Sequence, residues 1–166
     1  MTEPAVTLRP VTAADLDTLF AHQLDAEANA MAVVHLRDRE AFYPHWARIL
    51  ADPAITASAV LLDGALVGHV TCFDQGGQDT IGYWIAKEHW GKGIASRALQ
   101  LLLEQVPRRP LHAQVARSNH RSLRVLERAG FRVTRYEHAP ATERFPACEE
   151  ALLVLDGGEP PTPPGP

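Results

Sequence analysis

Residues 88–99 read EHWGKGIASRAL and join two regular elements of the sequence. The segment before them, TIGYWIA (residues 80–86), is typical of a strand, and the segment after Gly93, IASRALQLLLEQV, repeats its apolar residues at helical spacing. Gly91 and Gly93 therefore flank Lys92 in a turn between a strand and a helix. Because the first N–H groups of a helix have no partner within it, this arrangement predicts a backbone site for an anion.

Two common phosphate-binding motifs do not fit this turn. A P-loop needs two glycines five positions apart, followed by lysine and serine or threonine, and that spacing is absent. The dinucleotide motif GxGxxG is also absent, because Ser96 stands where the third glycine would be. The turn alone therefore predicts an anion site but not its ligand, and a purely structural turn with a solvated Lys92 remains open.

The chain as a whole has the size and composition of one domain. It has 166 residues, of which 46% are hydrophobic, which is enough to bury a core. We expect a single domain over residues 1–155, followed by a disordered tail over residues 156–166, where DGGEPPTPPGP is rich in proline and glycine. The net charge of −4 gives no general attraction to nucleic acid or to an anionic membrane, so we expect neither as a partner.

Several other functional classes lack support in the sequence. No apolar run reaches eighteen residues, and the first residues do not form a secretory signal, so we expect a soluble, cytoplasmic protein. Cys72 and Cys148 are isolated, which predicts two reduced thiols. The eight histidines show no ligand spacing, so we predict no metal site. No Ser-His-Asp pattern is recognisable either.

The pattern outside the turn predicts the element order β, α, α, β, β, β, α, β, α, β, β, which indicates a mixed α/β sheet. Asp63-Gly64 between two apolar runs predicts a tight hairpin. Thr12 with Asp15 predicts a helix start near residue 13, and Pro44 predicts that the next helix is kinked or begins late. The last strand, EALLVLD (residues 150–156), could pair across a dimer if it lies at a sheet edge, so both a monomer and a homodimer remain open.

Two segments together carry a specific resemblance. YWIAKEHWGKGIASRALQLLLE, followed at the expected distance by LHAQVARSNHRSLRVLERAGFRV, resembles the acetyl-CoA signature of the GNAT superfamily of N-acetyltransferases. The match is nearest to the ribosomal-protein-acetyltransferase-like branch, and the motifs lie in residues 81–131. The resemblance implies a mostly antiparallel central sheet with one splayed pair of parallel strands and about four flanking helices.

The resemblance also implies acetyl-CoA as the co-substrate and a set of residues that bind it. The turn and the helix start would hold the pyrophosphate. The strand from Tyr83 to Ile85 would pair with the pantetheine arm, and the Ile85 N–H would face the thioester carbonyl. Asn119 matches the family asparagine that touches the cofactor, although its residue type is equally typical of a helix N-cap. The expected cofactor-binding residues are Tyr83, Trp84, Ile85, Trp90, Gly91, Lys92, Gly93, Ile94, Ala95, Ser96, Asn119 and Ser122.

Three positions depart from the family pattern. Glu88 stands where a glutamine or arginine is usual before the turn, Thr80 where a glutamate is frequent, and Leu126 where a tyrosine is frequent. The catalytic base therefore stays unassigned, and either Ser122 or a water could protonate the departing thiolate. A missing base favours an acceptor of low pKa, such as a peptide α-amine, over a lysine side chain.

Some polar residues have both an ordinary and a functional interpretation. The arginines at positions 117, 121, 124 and 128 predict a solvated basic face that could also meet the adenosine 3′-phosphate. His112 and Gln114 alternate with apolar residues and could face a cleft, although a surface position is the more frequent outcome. The acceptor cleft is expected within residues 22–46, where the polar candidates are Glu27, Arg37, Tyr43 and His45.

The sequence therefore predicts an N-acetyltransferase that transfers an acetyl group from acetyl-CoA to a primary amine by direct attack in a ternary complex. A peptide or protein N-terminal amine is the favoured acceptor. Transfer to an aminoglycoside or polyamine is an alternative, as is an acyl-CoA-binding sensor without turnover. A general nucleotide-binding module is a further and poorer alternative.

Overall fold

The computed structural model describes residues 5–157, so most of the predicted disordered tail lies outside the described part of the chain. The strands are β1 (Val6–Pro10), β2 (Thr56–Leu62), β3 (Ala65–Gln75), β4 (Gln78–Ile85), β5 (Leu111–Ala116), β6 (Arg132–Ala139) and β7 (Cys148–Leu155). The helices are α1 (Leu16–His22), α2 (Ala26–Ala32), α3 (Arg39–Ala51), α4 (Ile94–Gln105) and α5 (His120–Arg128). Short 3-10 turns precede α1 (Ala13–Asp15) and α4 (Lys87–His89). None of the helices within residues 5–157 has the length and apolar character needed to cross a membrane.

The strands form one mixed sheet in the order β1-β2-β3-β4-β5-β7-β6. All neighbouring strands run antiparallel except β4 and β5, which are parallel and register only at Thr80 with His112. Beyond that point toward Ile85 the two strands no longer pair. The predicted fold class, a mostly antiparallel sheet with one splayed parallel pair, is confirmed.

The register of β4 decides which of its backbone groups are free at the splay. Ala86 donates its N–H to the carbonyl oxygen of Val67 at 2.9 Å, and Trp84 lies opposite His69 in the same register. Because hydrogen bonds alternate along an antiparallel pair, the N–H and C=O groups of Tyr83 and Ile85 point away from β3, toward the splay. The sheet therefore offers an unpaired backbone edge there.

Apolar side chains cover both faces of the sheet. The larger core joins the strands to α4 and α5, and α4 contributes Ile94, Ala98, Leu99 and Leu102 to it. The smaller core joins the other face to α1 and α3 through Phe20, Phe42 and Trp46. The site at the end of β4 is therefore fixed from both sides by packed layers.

The first helical segment begins as the sequence predicts. Asp15 accepts a hydrogen bond from the Thr12 N–H at 2.8 Å. The same carboxylate forms a two-pronged ion pair with the guanidinium of Arg9, at 2.7 and 2.8 Å. These contacts lower the pKa of Asp15 to about 2, with the Arg9 hydrogen bonds as the largest cause.

The helical layer before β2 differs from the expectation in two respects. A short helix, α2, forms within a stretch for which the sequence analysis predicted no element. The helix α3 does not begin late, because Asp38 caps it and Pro44 lies in its interior. Pro44 removes the bond that its N–H would give to the Glu40 carbonyl, but both residues are exposed, so water can satisfy that carbonyl.

The last strand does not lie at a sheet edge. β7 lies between β5 and β6, and its backbone pairs with both neighbours. The sheet edges are β1 and β6 instead. The condition for edge pairing through EALLVLD is therefore not met.

Candidate active site

A cavity of about 370 Å³ opens between the end of β4, the start of α4 and one side of α5. Eleven of the twelve residues predicted to bind the cofactor line it. The exception is Lys92, whose Nζ lies 3.3 Å from Nδ1 of His89. Residues from two segments 23 positions apart, Ser96 and Asn119, meet in this cavity.

The turn before α4 presents bare backbone to the cavity. Gly91 and Gly93 have φ angles of +80° and +75°, which side-chain-bearing residues rarely adopt. A Cβ atom at either position would meet no other atom within 4 Å, so it would project into open space. At the helix start, Arg97 is the first residue to donate back, to the Gly93 carbonyl at 3.1 Å. The N–H groups of Ile94, Ala95 and Ser96 precede that bond, so they have no partner inside the helix.

Trp90 holds this turn against the end of β4. Its indole N–H donates to the carbonyl oxygen of Ile85 at 2.9 Å. On its other side, the guanidinium of Arg121 lies 4.9 Å from the indole ring centre. Arg124 and Arg128 line the same wall of the cavity, which gives it positive charge near the helix start.

A pair of hydroxyl groups joins the two walls of the cavity. Tyr83 on β4 and Ser122 on α5 bring their side-chain oxygens to 2.5 Å. Ser122 is fixed further by Asn119, whose side chain accepts the Ser122 backbone N–H at 3.2 Å and caps α5. Asn119 therefore lines the cavity and also acts as an N-cap. Burial raises the pKa of Tyr83 to about 12, so its hydroxyl keeps its proton at neutral pH.

At the three positions that depart from the family pattern, the residues present do not line the cavity. Glu88 is exposed, with its carboxylate 3.8 Å from Nε2 of His89, and it is absent from the cavity wall. Thr80 is buried and donates its hydroxyl to the Gln78 carbonyl at 3.2 Å. Leu126 is 1% exposed and packs in the larger core.

Trp84 connects the cavity to the opposite face of the sheet. It lines the cavity, and its indole N–H donates to the carbonyl oxygen of His22 at 3.2 Å. Across the β3–β4 ladder it lies beside His69, whose ring packs edge-on against Trp46 with 5.0 Å between ring centres. Burial lowers the pKa of both histidines, to about 3 for His69. Both rings are therefore neutral at neutral pH.

Other polar candidates lie away from this cavity. His112 and Gln114 border a separate shallow groove between β5, β6 and β7. Arg117 stacks on the ring of Tyr136 at 4.0 Å and pairs with Glu149. In the expected acceptor stretch, Glu27 pairs with Lys87 and the Tyr43 hydroxyl donates to Asp17.

Sequence reasoning missed one wall of the cavity and one contact within it. The wall comes from α2, which contributes Ala28, Met31 and Ala32. A signal for α2 was present, because Asp25 is a good N-cap and AEANAMA is composed mainly of helix-forming residues. The contact is between the side chains of Tyr83 and Ser122, which lie 39 positions apart, and no local pattern reports it.

Comparison with known proteins gives consistent results. The curated Bacillus subtilis (strain 168) protein named "Putative ribosomal N-acetyltransferase YdaF" is 37% identical over 100 residues. Those residues are 56% of this chain and 55% of that protein, so the chain matches about half of the relative's length.

Solved structures share the fold over most of the chain. Mycobacterium smegmatis RimJ in complex with CoA-disulfide has a TM-score of 0.77 and 26% identity, with 95% of this chain and 84% of that chain covered. A GNAT-family acetyltransferase from Bacillus anthracis has a TM-score of 0.77 and 19% identity, with 93% and 96% covered. The latter likeness shows the fold alone. The family model described as "Acetyltransferase (GNAT) domain" matches residues 5–132. The sheet with its splayed parallel strands, the glycine turn and this match agree, and the chain belongs to the GNAT acetyltransferase family.

Proposed function

We propose that this protein is an acetyl-CoA-dependent N-acetyltransferase in which a primary amine attacks the thioester directly within a ternary complex. One observation carries the proposal: the unpaired helix start and the unpaired edge of β4 open into the same cavity. The first suits a pyrophosphate and the second suits an extended amide-bearing arm, and acetyl-CoA contains both. The RimJ structure, solved with CoA-disulfide, supports the same ligand class.

The phosphates would be held mainly by backbone. The N–H groups of Ile94, Ala95 and Ser96 point out of the start of α4, where the helix dipole also favours an anion. Glycine at positions 91 and 93 leaves room for the phosphate oxygens to approach. The arginines that line the α5 wall supply the charge that this otherwise acidic chain lacks.

The edge of β4 supplies the donor for the reacting carbonyl. As the amine nitrogen bonds to the acetyl carbon, negative charge develops on the thioester oxygen. The Ile85 N–H, which points away from β3, can donate to that oxygen. The Ile85 carbonyl already accepts from Trp90, so this end of the strand is held in place before substrate binds.

Ser122 is the proposed donor to the leaving group. When the carbon–sulfur bond breaks, the thiolate takes the Ser122 proton, water returns a proton to Ser122, and the amine releases one to water. Tyr83 can donate to Ser122 Oγ, which leaves the serine proton free for the thiolate. Many family members place a tyrosine on α5, at the position of Leu126. Here the tyrosine is Tyr83 on β4, on the opposite wall of the cavity, and it acts through Ser122.

The proposed acceptor is the N-terminal amine of a peptide or protein. An α-amine with a pKa near 8 is about one-tenth neutral at pH 7, whereas a lysine near 10.4 is neutral about once in a few thousand molecules. With no carboxylate at position 80, the less basic amine needs less assistance. The ribosomal N-acetyltransferase named among the curated relatives supports this choice. The fold does not decide it, because spermidine and aminoglycoside acetyltransferases share the fold at 17% and 20% identity.

Calorimetric titration with acetyl-CoA tests the binding step. We expect micromolar binding by the wild type and no binding by Gly91→Glu, because a carboxylate would project into the phosphate site. Gly64→Glu is the matched control, since Gly64 also has a positive φ, of +85°, and open space around its Cβ position, but lies in the β2–β3 hairpin. Absence of binding by folded wild type would overturn the proposal.

Thiol release tests the transfer step. Peptides that begin with serine or alanine would be compared with an aminoglycoside and with spermidine in the presence of acetyl-CoA. Thiol release that depends on a peptide α-amine is the expected result. Tight binding of acetyl-CoA with no thiol release for any amine would instead identify a sensor. The lack of a glutamate at position 80 and the lack of a tyrosine at position 126 would agree with that outcome.

A further inference from the structure

A group of basic side chains lies on the sheet face covered by α1 and α3, next to Trp84. We call it the basic cluster, and its members come from the α2–α3 loop, α3, β3 and the β6–β7 loop: Arg37, His45, Arg48, His69 and Arg144. His69 is the cross-strand neighbour of Trp84, which lines the cavity. The cluster therefore reaches the cavity wall through the contact of His69 with Trp84.

Two sets of hydrogen bonds hold the arginine-bearing loops in place. The side chain of Gln23, which is buried, donates to the Arg37 carbonyl and accepts the Arg37 N–H at 3.1 Å. The His35 N–H donates to the Arg144 carbonyl at 2.7 Å, and the Arg144 guanidinium donates back to the His35 carbonyl. Arg37 and Arg144 are thus presented by fixed backbone, which lowers the entropy cost of binding a ligand.

The cluster has no counter-charge within the described part of the chain. None of the ion pairs there includes Arg37, Arg48 or Arg144. Asp38, which directly follows Arg37, accepts the Ala41 N–H at 2.9 Å as the cap of α3.

The pKa values report the same imbalance. Burial, followed by the charge of Arg37, lowers the pKa of Arg144 to about 10. Burial and three arginines lower the pKa of His45 to about 4. The charges that lower these two pKa values are those of neighbouring arginines.

Buried polar atoms without partners give an independent indication of a ligand. The Nδ1 atoms of His22 and His69 are buried and make no hydrogen bond within residues 5–157. Both histidines adjoin Trp84, one through its backbone and one across the strand pair. Unpaired buried nitrogens are costly in a folded protein, so a polar partner for either ring would stabilise the protein.

We propose that the basic cluster binds a carboxylate of the acceptor, so that the acceptor is an amine carrying negative charge near the reacting nitrogen. This inference rests on the proposed acetyltransferase function and deepens it. Half-buried guanidinium groups are expensive without an anion, and the planar fork of arginine matches a carboxylate. Polyamines and aminoglycosides would be repelled by the same charges. The carboxylate could belong to an acidic peptide or to a free amino acid.

Competition between matched acceptors tests the specificity. Three peptides share an N-terminal serine and continue with Asp-Glu, Ala-Ala or Lys-Lys, and free glutamate and spermidine complete the set. We expect kcat/KM for the acidic peptide to exceed that for the basic one by about tenfold or more. Arg37→Gln and Arg144→Gln should each lower this ratio of kcat/KM by about threefold or more, through KM for the acidic peptide. Arg135→Gln, on the exposed edge strand β6, is the control and should change nothing.

A binding measurement keeps the test independent of turnover. The N-acetylated forms of the acidic and basic peptides would be titrated calorimetrically into the protein saturated with CoA. Selective binding of the acidic product, lost in Arg37→Gln and Arg144→Gln, supports the inference even if no acceptor is turned over. Equal affinity for both products, or an acidic preference that survives both substitutions, overturns it. Turnover of the Ala-Ala peptide without any acidic preference would retain the acetyltransferase and refute the acidic acceptor. Free glutamate as the best substrate would identify an amino acid as the source of the carboxylate.

Discussion

The Tyr83–Ser122 pair is where single residues matter most for the proposed chemistry. Its two oxygens are 2.5 Å apart, and Ser122 is also fixed by the Asn119 cap. The buried phenol, with a pKa of about 12, keeps its proton at neutral pH, and the proposed mechanism has it donate a hydrogen bond to Ser122 Oγ. The serine proton is then directed into the cavity, where the leaving sulfur would lie. In the proposed mechanism the pair therefore assists the departure of the thiolate, in addition to lining the cavity proposed for the cofactor.

Removing this hydroxyl should slow the reaction selectively. We expect Ser122→Ala to lower kcat by about 100-fold, the lower end for a general acid, with the Kd for acetyl-CoA changed by less than about threefold. Tyr83→Phe should have a smaller effect of about tenfold, because the serine proton remains but loses its orientation. Thiol-release kinetics and calorimetry would measure the two quantities. Ser118→Ala, at an exposed position just before α5, is the matched control, and an unchanged kcat in Ser122→Ala would assign the donor role to water.

At this scale the sequence predicted backbone roles better than side-chain roles. Glycine at positions 91 and 93 could be predicted because the turn requires positive φ angles, a property of the residue type itself. The partner of Tyr83 could not, since β4 and α5 meet only through the tertiary fold. The same reason hides the basic cluster, whose members come from four separate segments.

Among the elements, the short helix α2 contributes nearly half of its residues to the cavity wall. It has seven residues, and three of its side chains, Ala28, Met31 and Ala32, line the cavity. Asp25 caps its start by accepting the Ala28 N–H at 2.8 Å. Its end is less favourable, because Val33 adopts a left-handed conformation with φ of +55°. A β-branched residue is strained there, and glycine is the usual residue at such a helix end.

Replacing that valine should stabilise the protein. Left-handed geometry costs a non-glycine residue about 1–2 kcal/mol, and glycine loses about 0.5–1 kcal/mol more in backbone entropy on folding, so Val33→Gly should gain about 1 kcal/mol. For a chain of this length that corresponds to a Tm increase of about 2–4 °C in calorimetry. Val34→Gly is the matched control and should destabilise, because Val34 has no positive φ to relieve. A lower Tm for Val33→Gly would mean that the lost side-chain contacts outweigh the strain.

The elements were predictable where local chemistry determines them. The Asp63-Gly64 hairpin forms with both residues at positive φ, as a tight turn of this type requires. The position of β7 inside the sheet follows from pairing with distant strands, although its nearly continuous apolar run, residues 151–155, is typical of a strand covered on both faces. Pro44 was expected to kink or delay its helix because proline disfavours a helix interior. Its actual cost to the helix depends on whether water reaches the Glu40 carbonyl that it leaves unpaired.

At the scale of the whole molecule, the two proposed sites lie on opposite faces of one sheet. The cavity proposed for acetyl-CoA is built with α4 and α5 on one face, and the basic cluster lies with α1 and α3 on the other. Trp84 and the splayed end of β4 stand between them. The amine and the thioester would therefore approach from opposite sides and meet at the one place where the sheet is open. The family resemblance predicted the cavity for acetyl-CoA. The basic cluster could not be predicted, because it depends on which loops the fold brings together.

The two histidines of the basic cluster, His45 and His69, should make the stability of the whole protein depend on pH. Burial holds the pKa of His45 at about 4 and that of His69 at about 3, both below the ordinary 6.5. Between those values the unfolded chain binds more protons than the folded one, so the free energy of unfolding rises with pH in this window. The stability should therefore be complete above about pH 7 and decline as the pH falls below 6.5, by at most about 1.4 kcal/mol per pH unit for each histidine. The loss from Asp15, whose pKa is about 2, begins only below about pH 4 and is separable.

Urea unfolding of the wild type at pH 7.5, 6.0 and 5.0 measures this dependence directly. His69→Gln, which cannot be protonated, should flatten the curve between pH 6.5 and 5, whatever its effect on stability at pH 7.5. His138→Gln is the control, because His138 lies exposed on the edge strand β6 and should leave the curve unchanged. A wild-type stability that is constant from pH 7.5 to 5.0 would show that the rings are hydrated in solution. That result would contradict the proposal that the basic cluster is a desolvated anion site. The burial that keeps the histidines neutral is also the burial that makes an unpaired guanidinium costly.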